Sequence, residues 1–350
     1  MSNSLTKGVP YEVIISLTSF PARIGCLPEV LDSLLRQTVR ADRIILWLAE
    51  EQFPGREKDL PAGLMEMFSG CDTLQLRWCD DLRPHKKYYY TMKENPDSIV
   101  ITVDDDVYYA ADMVETLLDS YAVFPYAVSA MRAHKIVTDD SGAIAPYSQW
   151  IKEYNLTGIP SLALCATGVG GVLYPPHTLP EELFNTERIR ETCLNADDLW
   201  LKAMEVINHV PVVVAAPPKK LQTIDDSQKE ALWKQNDNGG ANNTQFAAIL
   251  AAYDNYWGET DTLTQRMRLS SAHLDHYNFS REREAVLRTE LRERDETIHL
   301  LRSSWSYRIG RLITLIPRKI QGGVRCITDN GMKYTFMRIL EKLKLKEVEL

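Results

Sequence analysis

The 350-residue sequence has few cysteines, and none lies in a metal-binding pattern. The six cysteines include no C-x-x-C pair and show no zinc-ligand spacing, so we expect reduced thiols rather than a zinc module or a disulfide framework. An apolar run of about 20 residues, as a membrane-spanning helix needs, is also absent. The first residues lack the apolar stretch of a signal peptide, so we expect a cytoplasmic protein.

Acidic residues outnumber basic residues over most of the chain. The formal net charge is −8, from 40 Lys or Arg and 48 Asp or Glu, which argues against a nucleic-acid partner. Residues 303–350 are the exception, because they contain ten Lys or Arg and only four Asp or Glu. An acidic body with a basic tail indicates that the tail meets an anionic surface, such as that of a lipid membrane.

The first half of the chain alternates strand and helix signals. Short apolar, β-branched runs predict the buried strands Tyr11–Leu17, Arg43–Leu48, Leu74–Trp78 and Ser98–Val103. One-sided apolar spacing predicts the helices Pro28–Gln37, Leu60–Phe68, Lys86–Lys93 and Met113–Tyr121. Repeated units of this length predict an α/β fold, an open and mostly parallel twisted sheet flanked by helices. Such sheets bind ligands beyond the carboxyl ends of their strands.

The second half is less regular. It predicts a glycine-opened strand at Gly168–Tyr174, a helix at Asp197–Ile207 and a strand at Val210–Ala216. Two further helices are predicted at Gln228–Trp233 and Thr244–Tyr253. We expect the α/β domain to comprise residues 1–257 and to be followed by a C-terminal helical extension.

The predicted extension has two parts. Residues 258–302 form a charged linker, in which four apolar residues have the spacing of a short coiled-coil stripe: Leu287, Leu291, Ile298 and Leu301. Arg294 interrupts that stripe, so a solvent-facing charged helix is an equal alternative. Residues 303–350 form a basic amphipathic tail, and Ser304–Ile320 mixes aromatic, aliphatic and cationic residues as a helix lying on anionic lipid does. The alternative is a helix packed on the body of the protein.

Three consecutive aspartates, Asp104, Asp105 and Asp106, follow the apolar strand Ser98–Val103. Adjacent carboxylates repel one another, and strand propensity does not favour them. A hard divalent cation relieves that repulsion, because such ions prefer oxygen ligands. Alternate side chains of an extended segment share a face, so Asp104 and Asp106 are predicted to converge on one metal ion. The alternative is a solvated acidic turn.

The aspartate segment resembles the D-x-D motif of glycosyltransferases with the GT-A fold, especially the family 2-like group. The stretch from Tyr11 to Leu48 is similar to that family's first strand, loop, helix ending in S-L-x-x-Q-T, and second strand. The later segment NADDLWL, Asn195–Leu201, is similar to its E-D-x-x-L motif, and Gly168–Tyr174 to the glycine-rich strand before it. The resemblance covers roughly residues 11–215, with the motifs in the family's order.

The resemblance implies a metal-dependent sugar transfer and a role for each acidic motif. Asp106 would ligate Mn²⁺ or Mg²⁺, and Asp104 would reach the metal or the ribose, while the ion neutralises the leaving diphosphate. Asp198 would be the general base that deprotonates the acceptor hydroxyl. Asp197 replaces the family's glutamate, so the choice between Asp197 and Asp198 stays open. The alternative for this pair is helix capping. The late histidine that many GT-A enzymes use as a third metal ligand has no clear counterpart.

Further residues are candidates for binding the two substrates. Thr18 would hydrogen-bond the base or ribose, and Arg23 would approach a phosphate. The complete donor-binding set is Thr18, Arg23, Glu50, Lys86, Lys87, Asp104 and Asp105. The acceptor candidates are Trp200, Gly170 and Gly171, with Tyr147 and Trp150 as further rings that could stack on a sugar. The alternatives are a solvated basic turn for the lysines and core packing for each ring.

The resemblance and the basic tail together therefore imply an inverting transfer from a nucleotide-linked sugar, UDP-linked by expectation, to a glycan or lipid-linked acceptor in surface polysaccharide biosynthesis. Such an enzyme would be a peripheral protein at the inner face of the cell membrane, and a homo-oligomer is one possible state. The first alternative is a sugar-phosphate nucleotidyltransferase, although SLTSFPARIG is a poor version of its glycine-rich phosphate loop. The second is a non-catalytic membrane-associated scaffold, against which the intact aspartates argue.

Overall fold

The structure is a computed structural model that describes residues 8–224 and 240–346. The described residues contain eleven strands: β1 (Val13–Thr18), β2 (Arg43–Ala49), β3 (Leu74–Cys79), β4 (Ile99–Thr102), β5 (Val107–Tyr108), β6 (Val128–Ala130), β7 (Ala133–Lys135), β8 (Leu164–Ala166), β9 (Val172–Tyr174), β10 (Val212–Val214) and β11 (Gln222–Thr223). Contacts divide the chain into two units, one ending at Asn278 and one beginning at Phe279.

A seven-stranded sheet in the order β10-β6-β9-β4-β1-β2-β3 forms the centre of the first unit. Its neighbouring strands are parallel except around β9, which runs antiparallel to both β4 and β6. Two small antiparallel sheets pair β11 with β5 and β7 with β8. The β11–β5 pairing places Thr223 opposite Val107, the residue after the three aspartates.

Nine helices lie among the described residues: α1 (Leu27–Leu35), α2 (Ala62–Gly70), α3 (Lys86–Glu94), α4 (Met113–Val123), α5 (Thr186–Thr192), α6 (Asp197–Ile207), α7 (Ala241–Tyr253), α8 (Leu263–Ser303) and α9 (Trp305–Lys346). The last is interrupted at Gly331, whose φ of 81° is not helical. A mostly parallel sheet flanked by helices, with a helical C-terminal region, confirms the predicted fold class and agrees with the GT-A fold that the resemblance implies.

Strand β1 shows why helices must cover both faces of the sheet. Val13 and Ile15 pack into one apolar cluster with α1, α2 and α4, whereas Ile14 packs on the opposite face with Trp47 and Tyr90. Successive side chains of a strand point to opposite faces of the sheet. Val13, Ile14 and Ile15 are all fully buried, so β1 is covered on both faces. The near-continuous apolar strands of the sequence therefore fold as the interior layer of a three-layer unit.

The predicted elements up to residue 123 agree with the structure to within two residues at each end. The predicted strand Gly168–Tyr174 is instead a 3-10 turn at Gly168–Gly170 followed by β9. Gly171 separates them with a φ of +94°, a conformation that favours glycine. The predicted helix Gln228–Trp233 lies outside the described residues, and helix α7 begins three residues before the predicted Thr244.

Helix α8 changes its surroundings along its length. Its first turns bury Leu263, Met267 and Leu274 in the core of the first unit. Every side chain from Asp275 through Ser303 is exposed. None of the described helices combines the length and the apolar run that crossing a bilayer requires. The predicted divisions after residues 257 and 302 stay predictions.

Candidate active site

A cleft of about 760 Å³ opens at the carboxyl edge of the central sheet. Its walls include Thr18 at the end of β1, the aspartates after β4, and the start of helix α6. The parallel β1 and β4 end together, because Ser16 pairs with Thr102 in their register. The cleft therefore lies where open α/β sheets bind their ligands.

Asp105 is fixed within the chain by two donors. It is 5% exposed, and it accepts hydrogen bonds from Ser19 Oγ at 2.6 Å and Arg23 Nη1 at 2.8 Å. The same Arg23 nitrogen lies 3.1 Å from Asp106 Oδ2. Burial raises the pKa of Asp106 to about 6, and repulsion from Asp104 adds to that rise. Arg23 thus neutralises part of the charge of the three aspartates.

Lys87 joins the two groups of carboxylates in the cleft. Its ammonium donates to Asp104 Oδ1 at 2.6 Å and lies 2.8 Å from Asp197 Oδ2, an ion pair without hydrogen-bond geometry. Burial lowers the pKa of Lys87, but Asp104 and Asp197 outweigh it and hold that pKa well above its ordinary value. Gly168 leaves room for this ammonium, because a Cβ there would lie 2.4 Å from Lys87 Nζ.

The Asp198 carboxyl has one backbone hydrogen-bond donor and a raised pKa. The Gly168 N–H donates to its Oδ1 at 3.1 Å. Burial raises the pKa of Asp198 to about 8, and repulsion from Asp197 adds to the rise. A carboxylate whose pKa lies near neutrality can both accept and release a proton under ordinary conditions.

Asp104 and Asp106 are the carboxylates with which this chain would hold Mn²⁺ or Mg²⁺. Within residues 8–224 and 240–346, no group of three or more His, Cys, Asp or Glu side chains is arranged to hold a metal ion. Mg²⁺ commonly uses one or two carboxylates together with substrate phosphates and water. Two carboxylates that line one cleft therefore suit such an ion in the presence of a diphosphate.

The predicted donor-binding residues divide into two groups. Thr18, Arg23, Lys86 and Lys87 all line the cleft. The Thr18 hydroxyl donates to the Trp47 carbonyl at 2.8 Å, and Lys86 Nζ donates to Asp81 at 2.6 Å. Glu50 is not among the cleft-lining residues; it forms an exposed ion pair with Arg56 at 2.6 Å. The structure thus brings together all of the predicted donor set except Glu50.

The predicted acceptor residues have packing roles instead. Trp200 is fully buried, and its indole N–H donates to the Leu183 carbonyl at 3.1 Å. A Cβ at Gly170 would lie 2.6 Å from Arg132 Cβ, and one at Gly171 would lie 3.0 Å from Met113 Sδ. Neither these three residues nor the buried Trp150 lines the cleft, whereas Tyr147 does.

Several residues in or beside the cleft were not predicted from the sequence. Gln52, Arg132, His134 and Asn195 line the cleft, and Asp81 accepts a hydrogen bond from the cleft lysine Lys86. Asp81 had a usable signal, because it follows β3 as the three aspartates follow β4. Arg132 and His134 had none: His134 lies in the short strand β7 and Arg132 in the bend between β6 and β7, and neither strand was predicted. His134 is neutral near pH 7, because burial lowers its pKa to about 3 and the charge of Arg132 lowers it further.

No protein-family model and no curated protein sequence matches this chain. Among solved structures, residues 1–349 of S. aureus TarS are 13% identical with a TM-score of 0.37, and a second TarS structure contains UDP. That match covers 60% of this chain and 59% of the TarS chain. The mannosyltransferase PcManGT from Pyrobaculum calidifontis, in complex with GDP-Man and Mn²⁺, is 12% identical with a TM-score of 0.40 and covers 87% of this chain and 84% of its own. CMP:2-keto-3-deoxy-manno-octonic acid synthetase, in complex with CTP, is 12% identical with a TM-score of 0.37. That match covers 58% of this chain and 88% of the synthetase chain.

The Lys87 bridge predicts a large loss of stability when its charge is removed. In Lys87→Met, Asp104 and Asp197 lose their buried counter-ion, so the free energy of unfolding should fall by about 3 kcal/mol or more. Lys219→Met is the matched control, because Lys219 pairs with Asp112 on the surface with 57% and 47% of the two side chains exposed. That exposed pair should contribute less than about 1 kcal/mol. Urea denaturation of both variants at neutral pH measures the difference, and equal losses would contradict the prediction.

Proposed function

We propose that this chain is a metal-dependent glycosyltransferase that moves a sugar from a nucleotide-sugar donor to a hydroxyl of a glycan or lipid-linked acceptor. We propose further that the donor is UDP-linked, that the transfer inverts the anomeric centre, and that the product belongs to a surface polysaccharide. The observation that carries the proposal is the meeting of Asp104 and Asp106 with Asp197 and Asp198 in one cleft, linked through Lys87.

The two acidic groups suit two different tasks. At Asp104 and Asp106 a divalent ion, when bound, would act as a Lewis acid on the leaving diphosphate. Arg23 and Lys87 supply fixed positive charge beside the same carboxylates, which limits their mutual repulsion before a donor arrives.

Asp198 is the residue that we propose as the base. Its carboxylate would take the proton of the acceptor hydroxyl as that oxygen attacks the sugar carbon from the face opposite the leaving group. Asp197 is less suited to this task, because its carboxylate is buried and already pairs with Lys87. The Gly168 N–H fixes the Asp198 carboxylate on one side and leaves it partly exposed to the cleft.

Replacing the proposed metal ligand should abolish transfer and leave the fold intact. Asp106→Asn should lower kcat/KM for a nucleotide sugar by about 1,000-fold or more, because the metal contributes several kcal/mol at the leaving group. Asp97→Asn is the matched control, since Asp97 is 86% exposed and pairs with His177 outside the cleft. The assay measures release of UDP or GDP from UDP- and GDP-linked sugars, and of CMP from CMP-linked sugars, with Mn²⁺ or Mg²⁺.

The same assay includes a sugar phosphate plus a nucleoside triphosphate as a second reaction mixture. Release of pyrophosphate from that mixture alone would establish the nucleotidyltransferase alternative. If none of the nucleotide sugars binds in a metal-dependent way, the result would favour the non-catalytic scaffold and overturn the proposal.

The rate of transfer should rise with pH. Asp198 acts as a base only when ionised, and its raised pKa means that the ionised fraction grows as pH increases towards about 8. Each pH unit below the pKa costs about tenfold. A bound cation would lower that pKa, so kcat/KM should rise between about pH 6 and pH 8 with an apparent pKa of about 8 or below.

In Asp198→Asn, transfer should be lost while donor binding, measured by calorimetry, is retained. A pH-independent rate in the wild type would contradict this assignment.

We also propose that the tail, residues 303–350, binds the enzyme to an anionic membrane surface at the inner face of the cell membrane. The tail exposes large apolar side chains, with Trp305 79%, Ile309 47% and Phe336 65% exposed. Its excess of cationic residues complements anionic headgroups, each cation contributing about 1 kcal/mol near such a surface. Exposed apolar residues among cations are typical of interfacial helices.

Vesicle sedimentation of the full chain tests the tail. The protein should bind phosphatidylcholine vesicles that contain phosphatidylglycerol and should bind pure phosphatidylcholine far less. Arg308→Glu with Arg325→Glu should weaken binding by at least about 30-fold, since two cations are lost and two anions gained. The same change at Arg281 and Arg292, which precede the tail, should have little effect. Equal binding to both kinds of vesicle would refute the electrostatic part of the proposal.

A further inference from the structure

The second half of helix α8 carries an apolar stripe that nothing in the described part of the chain covers. Leu287 is 49%, Leu291 60%, Ile298 44% and Leu301 60% exposed. Most of the stability of a helix in a folded protein comes from packing of its apolar face rather than from helix propensity. An amphipathic helix of this length is normally stabilised by burial of its apolar face.

The spacing of this stripe is that of a coiled coil. The steps from Leu287 to Leu291, Arg294, Ile298 and Leu301 are four, three, four and three residues, which makes them successive core positions of a heptad repeat. Only Arg294 is charged. A single charged core residue sets register and orientation at a cost in stability, and its long side chain can reach the solvent at the edge of the interface.

The charge of this segment favours a protein partner over a membrane. Residues 280–302 contain six Arg and six Asp or Glu, and therefore carry no net charge. The tail beyond it has ten cationic and four acidic residues. Anionic lipid attracts the tail but gains nothing from a neutral helix, so the stripe needs a different occupant.

The charges beside the stripe distinguish between two orientations of a self-paired helix. In a parallel pair, Arg283 would face the partner's Arg288, and Glu290 would face the partner's Asp295. These like-charge contacts are unfavourable. In an antiparallel pair centred between Leu291 and Arg294, Arg288 faces the partner's Asp295.

The same antiparallel alignment also satisfies the core. Leu287 then packs against the partner's Ile298, and Arg294 lies beside the partner's Leu291, within reach of the partner's Glu290. Arg281 and Arg302 face each other only at the ends of the paired segment, where helices fray and charges are solvated. The inner charges therefore agree with antiparallel pairing and oppose parallel pairing.

We propose that the stripe Leu287, Leu291, Ile298 and Leu301 is a dimerisation surface, and that its occupant is the same segment of a second copy of this chain in antiparallel orientation. The proposal does not depend on the chemistry of the cleft.

Sedimentation equilibrium of the full chain, in the absence of lipid, tests the surface. The wild type should dimerise, and Leu291→Glu should raise the dissociation constant by at least about 100-fold, because each dimer loses two buried leucine side chains. Leu300→Glu is the matched control: Leu300 is 69% exposed but lies outside the stripe. A monomeric wild type, or equal effects of both substitutions, would overturn the proposal.

Charge reversal tests the orientation. Arg288→Glu should weaken an antiparallel dimer by about 3- to 10-fold, because it places like charges together at two sites. In a parallel dimer it would relieve the contact with Arg283 and strengthen association. Adding Asp295→Arg to the first change should restore wild-type affinity in the antiparallel case. Tighter association of Arg288→Glu alone would exclude the antiparallel arrangement.

Discussion

The concentration of negative charge at one edge of the sheet is the constraint on which the candidate site depends. Five aspartates line a single cleft, and most of them are shielded from water. Buried like charges are tolerated only when cations or protons compensate them. Arg23 and Lys87 supply the cations, while burial, together with repulsion between the carboxylates, raises the pKa of Asp106 and of Asp198. A ligand that brings positive charge into this cleft would neutralise the negative charge that Arg23 and Lys87 leave uncompensated.

Lys87 compensates negative charge in both acidic groups of the cleft. Its ammonium is shared between Asp104, on the proposed metal side, and Asp197, next to the proposed base. A cation that approaches Asp104 must share its carboxylate with this ammonium or displace it. Either outcome changes the charge beside Asp198, so the two acidic groups are electrostatically coupled although separate elements carry them.

Apolar patterning predicted the parallel half of the fold well, because buried strands and one-sided helices leave a strong periodic signal. Strand β1 and helix α1 both came from such runs. The strands β5 to β8 have only two or three residues each, which is too short for a period to be visible. Their pairing depends on contacts distant in the sequence. His134, in β7, and Arg132, in the bend between β6 and β7, were therefore not predictable as cleft residues in the same way.

The candidate site divides along the same line. The aspartates that follow β4 could be placed at the sheet edge from the sequence, since strand propensity does not favour a run of carboxylates after an apolar strand. Trp200 was misassigned, because an aromatic residue one turn into a helix has the same local sequence whether it faces a ligand or the core. Only the packing of α6 beneath α7, which closes the core around that indole, decides between the two.

The position of the Lys87 ammonium in the cleft depends on the absence of a side chain at Gly168. The missing methyl group at this position is what allows the lysine ammonium to sit between two carboxylates. Homologous or engineered chains with a larger residue here would have to relocate that cation, although every ionisable side chain had been kept. Two such chains would have the same charged residues. The electrostatic potential in their clefts would nevertheless differ, because the lysine ammonium would lie in a different place.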